Sequence, residues 1–342
     1  MQTLSIDDEA TLARMKKVEL HVHIEGGITP DILFELAQRN KIDLPARTLD
    51  ELREWFTFRD FPHFGDIYSI IKSCLRRPDD IEAMAYGFFR NQAITNIIHT
   101  EATYTPSTTY ARQGIPFDEQ IDAVWHARNR VAQEFGTSSA LIIDIPRCSC
   151  THEEAMWTAE GAVKAHKEGK VDALGLGGFE VGFPPELFVD PFTLAAECGL
   201  PAICHAGETE GPQSIRNAIE LLKSIRIGHG VRCFEDPALV AELRDKQTHL
   251  EVSPSSNICL KVFPDYGSHP LPRMIEAGLN VSVNSDDPPM FNTTLANELK
   301  ICHEYYKLSM EQLRQLQVNA ARNSLCTSAR KAEMESQINA SA

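Results

Sequence analysis

The sequence predicts an α/β fold of the (β/α)8 TIM barrel class. Eight short β-like runs recur along the chain, and a helical pattern follows each one. Apolar strands alternating with helices point to a parallel sheet with right-handed crossovers. The main competitor is a doubly wound open sheet, but no Gly-x-Gly-x-x-Gly follows a strand here. At 342 residues the chain suits one barrel domain, so residues 1–342 are expected to form a single unit.

The first run, Val18 to Gly26, contains His21 and His23. Residues i and i+2 of a strand share a face, so the two imidazoles project side by side, opposite Leu20, Val22 and Ile24. That makes half of a metal site; an isolated His-x-His reads first as two partly buried histidines hydrogen-bonded to neighbours, and the rest of the chain shifts that reading. Thr29-Pro30-Asp31 then looks like a helix start. Helical segments follow near 48–56, 64–75 and 78–93, with no clear strand before about Ile94. A helical insertion over about 28–93, placed after the first strand, is expected to lie as a lid over the barrel mouth. Trp55, Phe58, Phe61, Phe64 and Tyr68 line it, or form only a small packed cluster.

The later strands are read at 97–104, 140–145, 171–176, 201–205, 225–229, 249–253 and 279–284. Intervening helices are read near 117–135, 152–168, 184–198, 212–224, 236–245 and 268–277. The remainder, from about 295, is helical. Residues 331–342 are polar and are expected to fray.

Composition narrows the function classes. A hydrophobic fraction of 43% and a charged fraction of 24% are ordinary for a globular chain. A net charge of −15 disfavours nucleic acid and anionic membranes as partners. No run approaches the roughly 20 apolar residues that span a bilayer. Met1 to Lys17 lacks the apolar stretch of a signal peptide. The nine cysteines therefore read as reduced thiols of a cytoplasmic protein.

In such a barrel the strand C-termini share one face, and that face carries the chemistry. Polar residues at the expected strand ends are His21 and His23, Gly177-Gly178, His205-Ala-Gly-Glu208, His229, Ser253-Pro-Ser-Ser256 and Asn284-Ser-Asp286-Asp287. Zinc accepts imidazole and carboxylate and, in a catalytic site, leaves one position for water. His21, His23, His205 and one aspartate of the 286–287 pair supply enough ligands. His229 is then free to orient the water or take its proton. Glu208 can present an acid to a substrate nitrogen, and the second aspartate can accept from substrate. Taken singly, His229 could be a core residue, Glu208 a loop carboxylate, and Ser256 and Glu25 cap or turn residues. The eight remaining histidines are left as structural, with His63 placed in the lid.

His-Val-His-Ile-Glu-Gly, His-Ala-Gly-Glu, Arg-Ile-Gly-His-Gly, Ser-Pro-Ser-Ser-Asn and Asn-Ser-Asp-Asp-Pro resemble, in this order, the signature stretches of the adenosine/adenine deaminases, a branch of the amidohydrolase superfamily. The resemblance implies one zinc ion per chain, with His21, His23, His205 and Asp286 as ligands. It implies that Glu208 protonates purine N1, that His229 positions and deprotonates the water, that Asp287 bonds N7 and that the Gly178 backbone meets N3. Glu25 stands where some members hold the ribose, and Ser256 is a further candidate substrate contact.

The implied reaction is hydrolytic deamination of a 6-aminopurine. Adenosine to inosine is the first expectation, adenine or another 6-aminopurine nucleoside the second, and an amide or ester hydrolase the last. Glu180-Val-Gly-Phe-Pro-Pro-Glu186 resembles the adenine-preferring branch, whereas the stretches at 205–213 and 287–291 look more like the nucleoside branch. A non-enzymatic metal-binding barrel would need the ligands but not Glu208, His229 and Asp287 together. Nothing in the sequence indicates an oligomeric state.

Overall fold

A computed structural model describes residues 4–341; the side chains of Ile6 and Phe61 lie outside what is described. Eight strands form one parallel sheet in chain order: β1 Lys17–His23, β2 Ile97–Tyr104, β3 Ser138–Pro146, β4 Ala173–Gly177, β5 Ala202–Ala206, β6 Ser224–His229, β7 His249–Val252 and β8 Val281–Val283. β8 is only three residues long, so the residues just past it complete the closure. Asp286 bridges in parallel to Val22 of β1. The His23 N–H donates to the Asp286 carbonyl at 3.0 Å, and the Asp286 N–H to the His21 carbonyl at 3.1 Å. The predicted (β/α)8 barrel is the observed architecture.

Strand alternation sorts the core. On one face of β3, Leu141, Ile143 and Ile145 pack with Leu174, Leu176, Ile227, Leu250, Val252 and Val283 in the main apolar cluster. On the other, Ile142 joins Ala173, Ile203 and Leu325, a small group separate from the main core. Two residues further along those same faces stand Asp144, Gly175 and His205, so an apolar layer supports a polar one. A charged tie crosses beside it. The guanidinium of Arg226 on β6 donates to Glu101 of β2 at 2.5 Å and to Glu251 of β7 at 2.7 Å, and also to the Asn323 carbonyl at 2.6 Å. All three side chains are buried, so the ions are paired rather than stranded.

Between β1 and β2 run four helices, Pro30–Asn40, Leu49–Phe56, Phe61–Cys74 and Pro78–Ile94. The last packs against helix Phe117–Phe135 and against β2, as an outer-ring helix does. Helix Phe61–Cys74 packs instead on helices Pro30–Asn40 and Pro106–Gln113. It sends Tyr68 and Lys72, four residues apart and so on one face, to strand-end residues. Among the described residues no helix is long and apolar enough to cross a membrane, and no cysteine is in a disulfide.

The C-terminal segment differs from the expectation of a frayed tail. Residues Ser328–Ser341 form a helix whose Met334 and Ile338 are fully buried against Val18, Leu20, Ile98 and Val318. The segment is polar because its buried stripe is two residues wide, at i and i+4, so composition concealed it. Ile338→Ala is expected to lower stability by about 2–4 kcal/mol, read as a fall in the urea midpoint at unchanged slope.

Candidate active site

The ends of β1, β5, β6 and β8 bring the predicted histidines and aspartates into one cluster. His21, His205, His229 and Asp286 each offer a ligand atom within 4.8 Å of the others, and so do His23, Asp286 and Asp287. His23 Nε2 lies 3.3 Å from His205 Nε2 and 3.3 Å from Asp286 Oδ1. His21 Nε2 lies 3.5 Å from Asp286 Oδ1, is buried, and is satisfied by no hydrogen bond. Three imidazole nitrogens and a carboxylate converging around such an atom suit a divalent cation. Backbone conformation serves the same end: His229 and Asp286 both hold φ +65°, a strained region for non-glycine residues that recurs at functional sites. Gly228 must be glycine, because a Cβ there would come within 2.7 Å of the His21 ring.

Residues behind the cluster orient it. Glu251 Oε2 lies 2.9 Å from His21 Nδ1, and its other oxygen takes Arg226. His205 Nδ1 lies 3.1 Å from the Leu176 carbonyl. These contacts leave the Nε2 atom of each ring pointing inward, as ligand histidines require.

Burial and charge push the titrations apart. For His21 burial opposes the charged ring, but Asp286 and Glu251 overcome it and raise its pKa to about 10. Burial likewise opposes charge on His23, and Asp287 and Asp286 bring it to about 9. His205 and His229 go the other way, His229 to about 4, through burial and the neighbouring histidine His21. Asp286 is held well below the usual carboxylate range, its burial outweighed by His21 and His23. Glu208 rises to about 8 through burial and the carboxylates of Asp286 and Glu180. Two carboxyl groups in one mouth, Asp286 held ionised and Glu208 pushed toward the protonated form, are separated in the way acid–base chemistry uses.

Glu208 Oε1 lies 3.7 Å from His229 Nε2, and the Asn257 amide donates to the same oxygen at 3.4 Å. Asn257 also shares a 3.3 Å bond with His229 Nδ1 and is backed by His269 at 3.2 Å. Asp287 accepts from the Tyr68 hydroxyl at 2.5 Å. Gly178 sits beyond β4 with φ +88°. Glu25 is buried, and its Oε1 accepts from Lys72 Nζ at 2.6 Å and from the Thr105 N–H at 3.0 Å, while Oε2 has no partner. The Ser256 hydroxyl is buried and also without a partner. Among the aromatics, Phe64 stacks on Phe291 at 5.8 Å with Phe58 beside it, and Trp55 packs on His63.

Sequence reading missed several residues here: Glu251, Asn257, Glu180 and Asp144. Asp144 is buried on the inner face of β3 with Oδ1 unpartnered, beside a space of about 10 Å³ shared with His21, His205 and Glu251. Asn257 could have been singled out, since it lies in the same stretch as Ser256. Glu251 and Asp144 sit inside apolar strands, where alternation alone marks them. Glu251→Gln is expected to weaken metal retention by about 10–100-fold, measured by competition with a chelator.

The sequence profile of the adenosine deaminase family matches residues 16–341. An adenine deaminase of Bordetella avium is 38% identical over 309 residues, covering 90% of this chain and 96% of that protein. An aminodeoxyfutalosine deaminase of Streptomyces coelicolor is 36% identical over 334 residues, covering 97% and 86%. The crystal structure of an adenine deaminase from Arthrobacter aurescens superposes with a TM-score of 0.89 at 32% identity, covering 95% and 98%. A barrel with this mouth and these relatives belongs to the adenosine deaminase family, and the chain is a hydrolase that deaminates a 6-aminopurine.

Proposed function

We propose that the chain is a zinc-dependent adenine deaminase, converting adenine and water to hypoxanthine and ammonia. The observation that carries the choice of substrate is the similarity, at 36–40% identity, to proteins named adenine deaminase. The sequence alone ranked adenosine first. The engagement of Glu25 supports the change: the carboxylate placed where some relatives hold a ribose is tied to Lys72 and Thr105. A nucleoside is the second reading, favoured by the Streptomyces coelicolor relative and by the unpartnered Glu25 Oε2.

In this reading His21, His23, His205 and Asp286 hold the metal. The bound ion would act as a Lewis acid, making a water a competent nucleophile near neutral pH. Glu208, kept protonated by its buried acidic surroundings, gives its proton to N1 and draws charge from C6. His229, neutral in this environment, orients the attacking water or takes its proton. Oxygen adds to C6 to give a tetrahedral carbon; the C6–N6 bond then breaks, N6 leaves as ammonia with the water proton that His229 took, and the proton remaining on the new oxygen returns to Glu208 as the carbonyl forms. Asp287, steadied by Tyr68 and with its pKa pushed up to about 7 by burial and Asp286, donates its carboxyl proton to N7, and the Gly178 backbone faces N3. Glu25 and Ser256 border the substrate, each offering an unpartnered oxygen. Helices Pro30–Asn40, Leu49–Phe56 and Phe61–Cys74 serve as the lid, with Tyr68 and Lys72 as its inner contacts.

A substrate panel tests this. Turnover of adenine is expected to exceed that of adenosine and deoxyadenosine by about 100-fold in kcat/KM, with about one zinc per chain by metal analysis. The reverse ranking would assign the nucleoside. Tyr68→Phe is expected to raise KM about tenfold through loss of one charge-assisted hydrogen bond, with metal content unchanged; an unaltered KM would reduce that contact to packing.

A further inference from the structure

The loop that carries Glu208 is built around a carboxylate from another loop. Glu180 lies three residues past β4 and is 1% exposed. Its Oε1 accepts the backbone N–H groups of Glu208 at 2.8 Å, Thr209 at 2.9 Å and Glu210 at 3.3 Å. Its Oε2 accepts the Gly207 N–H at 3.0 Å and the Ser214 hydroxyl at 2.5 Å. Five donors therefore converge on one side chain, and four of them are consecutive backbone amides. Helix Pro212–Glu220 begins directly afterwards, and Gly211 at its N-cap makes no side-chain capping bond. Glu180 reaches this helix through the Ser214 hydroxyl, with a negative group near its positive end.

Carbonyls of this loop and of the strand end before it are held from other sides. Arg147 Nη1 donates to the His205 carbonyl at 3.0 Å, and Arg232 Nη1 to the Thr209 carbonyl at 2.5 Å. Arg147 is itself fully buried and lies 3.8 Å from Glu180 Oε2. Among the described residues the Glu208 side chain has a single, long hydrogen bond at 3.4 Å, from Asn257. Its direction into the site therefore follows from its backbone, and its backbone follows from Glu180.

We infer that Glu180 is the positioning residue for the proton donor. Its carboxylate holds the 207–210 backbone in the one conformation that aims the Glu208 carboxyl at the substrate nitrogen. Glutamine cannot substitute: it keeps one acceptor oxygen and turns an NH2 toward backbone N–H groups, donor against donor. The inference rests on Glu208 as the proton donor.

The test compares Glu180→Gln, Glu180→Ala, Glu208→Gln and the double variant Glu180→Gln/Glu208→Gln, all metal-loaded, by kcat, KM and metal content. Both Glu180 variants are expected to lose about 100-fold in kcat, the scale of a misplaced catalytic group, while KM and metal content stay within about threefold. In Glu180→Ala the freed amides form a small anion site, so added formate should restore kcat saturably. Formate should leave wild type and Glu208→Gln unchanged. Because Glu180 acts through Glu208, the double variant should be no slower than Glu208→Gln alone. Near-wild-type kcat in Glu180→Gln with Glu208→Gln inactive would overturn the inference and leave the donor in place. Multiplied losses in the double variant would do the same. Full activity in Glu208→Gln would instead remove the donor, and this inference with it. If Glu180→Ala does not fold, Glu180→Gln and the double variant still decide.

Discussion

Closure of the barrel at the β1–β8 seam is the constraint on which the mouth depends. His21 and His23 lie near the start of the chain and Asp286 more than 260 residues later. They meet because Asp286 pairs its backbone with both histidines' strand. At this pairing Asp286 holds the left-handed conformation, and its carboxylate faces the imidazoles of His21 and His23. Parallel strands need long crossovers, so nothing local could bring these groups together. Closing the sheet places the first and last strands side by side and removes both edges in one step.

The barrel interior then has to tolerate an unusual density of charge. Glu101, Arg226, Glu251 and His21 form a continuous buried line in which each ion is paired with its neighbour and His21 is held by Nδ1, its Nε2 left for the cluster. The line ends at a ring nitrogen of a metal-ligand candidate, so the ionic tie that holds β2, β6 and β7 together also orients His21. Leaving any one of these charges without its partner would cost several kcal/mol in such a dry environment, so the network is expected to respond as a unit. The separate polar group of Glu180, Arg147 and the loop amides has the same logic just past the C-terminal ends of β4 and β5. There it organises backbone rather than a ring.

Above the cluster, the helix that brings Tyr68 and Lys72 reaches Asp287 and Glu25, which come from opposite sides of the closure seam. Phe64 and Phe58 pack on Phe291 a few residues away. Polar contacts at the rim and aromatic contacts behind them make this helix part of the wall of the site. That arrangement also explains why Glu25 is a weak pointer to a sugar: its firmest partner is a lysine of the same chain.

Strand-helix alternation and the polar residues at each strand end were readable from the sequence, because backbone periodicity and the one-sided opening of a parallel barrel are local rules with a global consequence. They located His21, His23, His205, Glu208, His229, Asp286 and Asp287 in one mouth. Where the partner came from a distant strand, the sequence was silent. Glu251, Asp144 and Arg226 look like interruptions in apolar strands until the barrel shows what they face. Glu180 opens a stretch that resembles one branch of the family, but what its carboxylate does shows only when four backbone amides are seen around it. The C-terminal helix was hidden for a related reason: its two buried residues matter only because the bottom of β1 and β2 lies against them. Local pattern determined the fold and the chemical types at its open end. Tertiary structure alone decided which charges are paired, because pairing depends on distances that no spacing along the chain encodes.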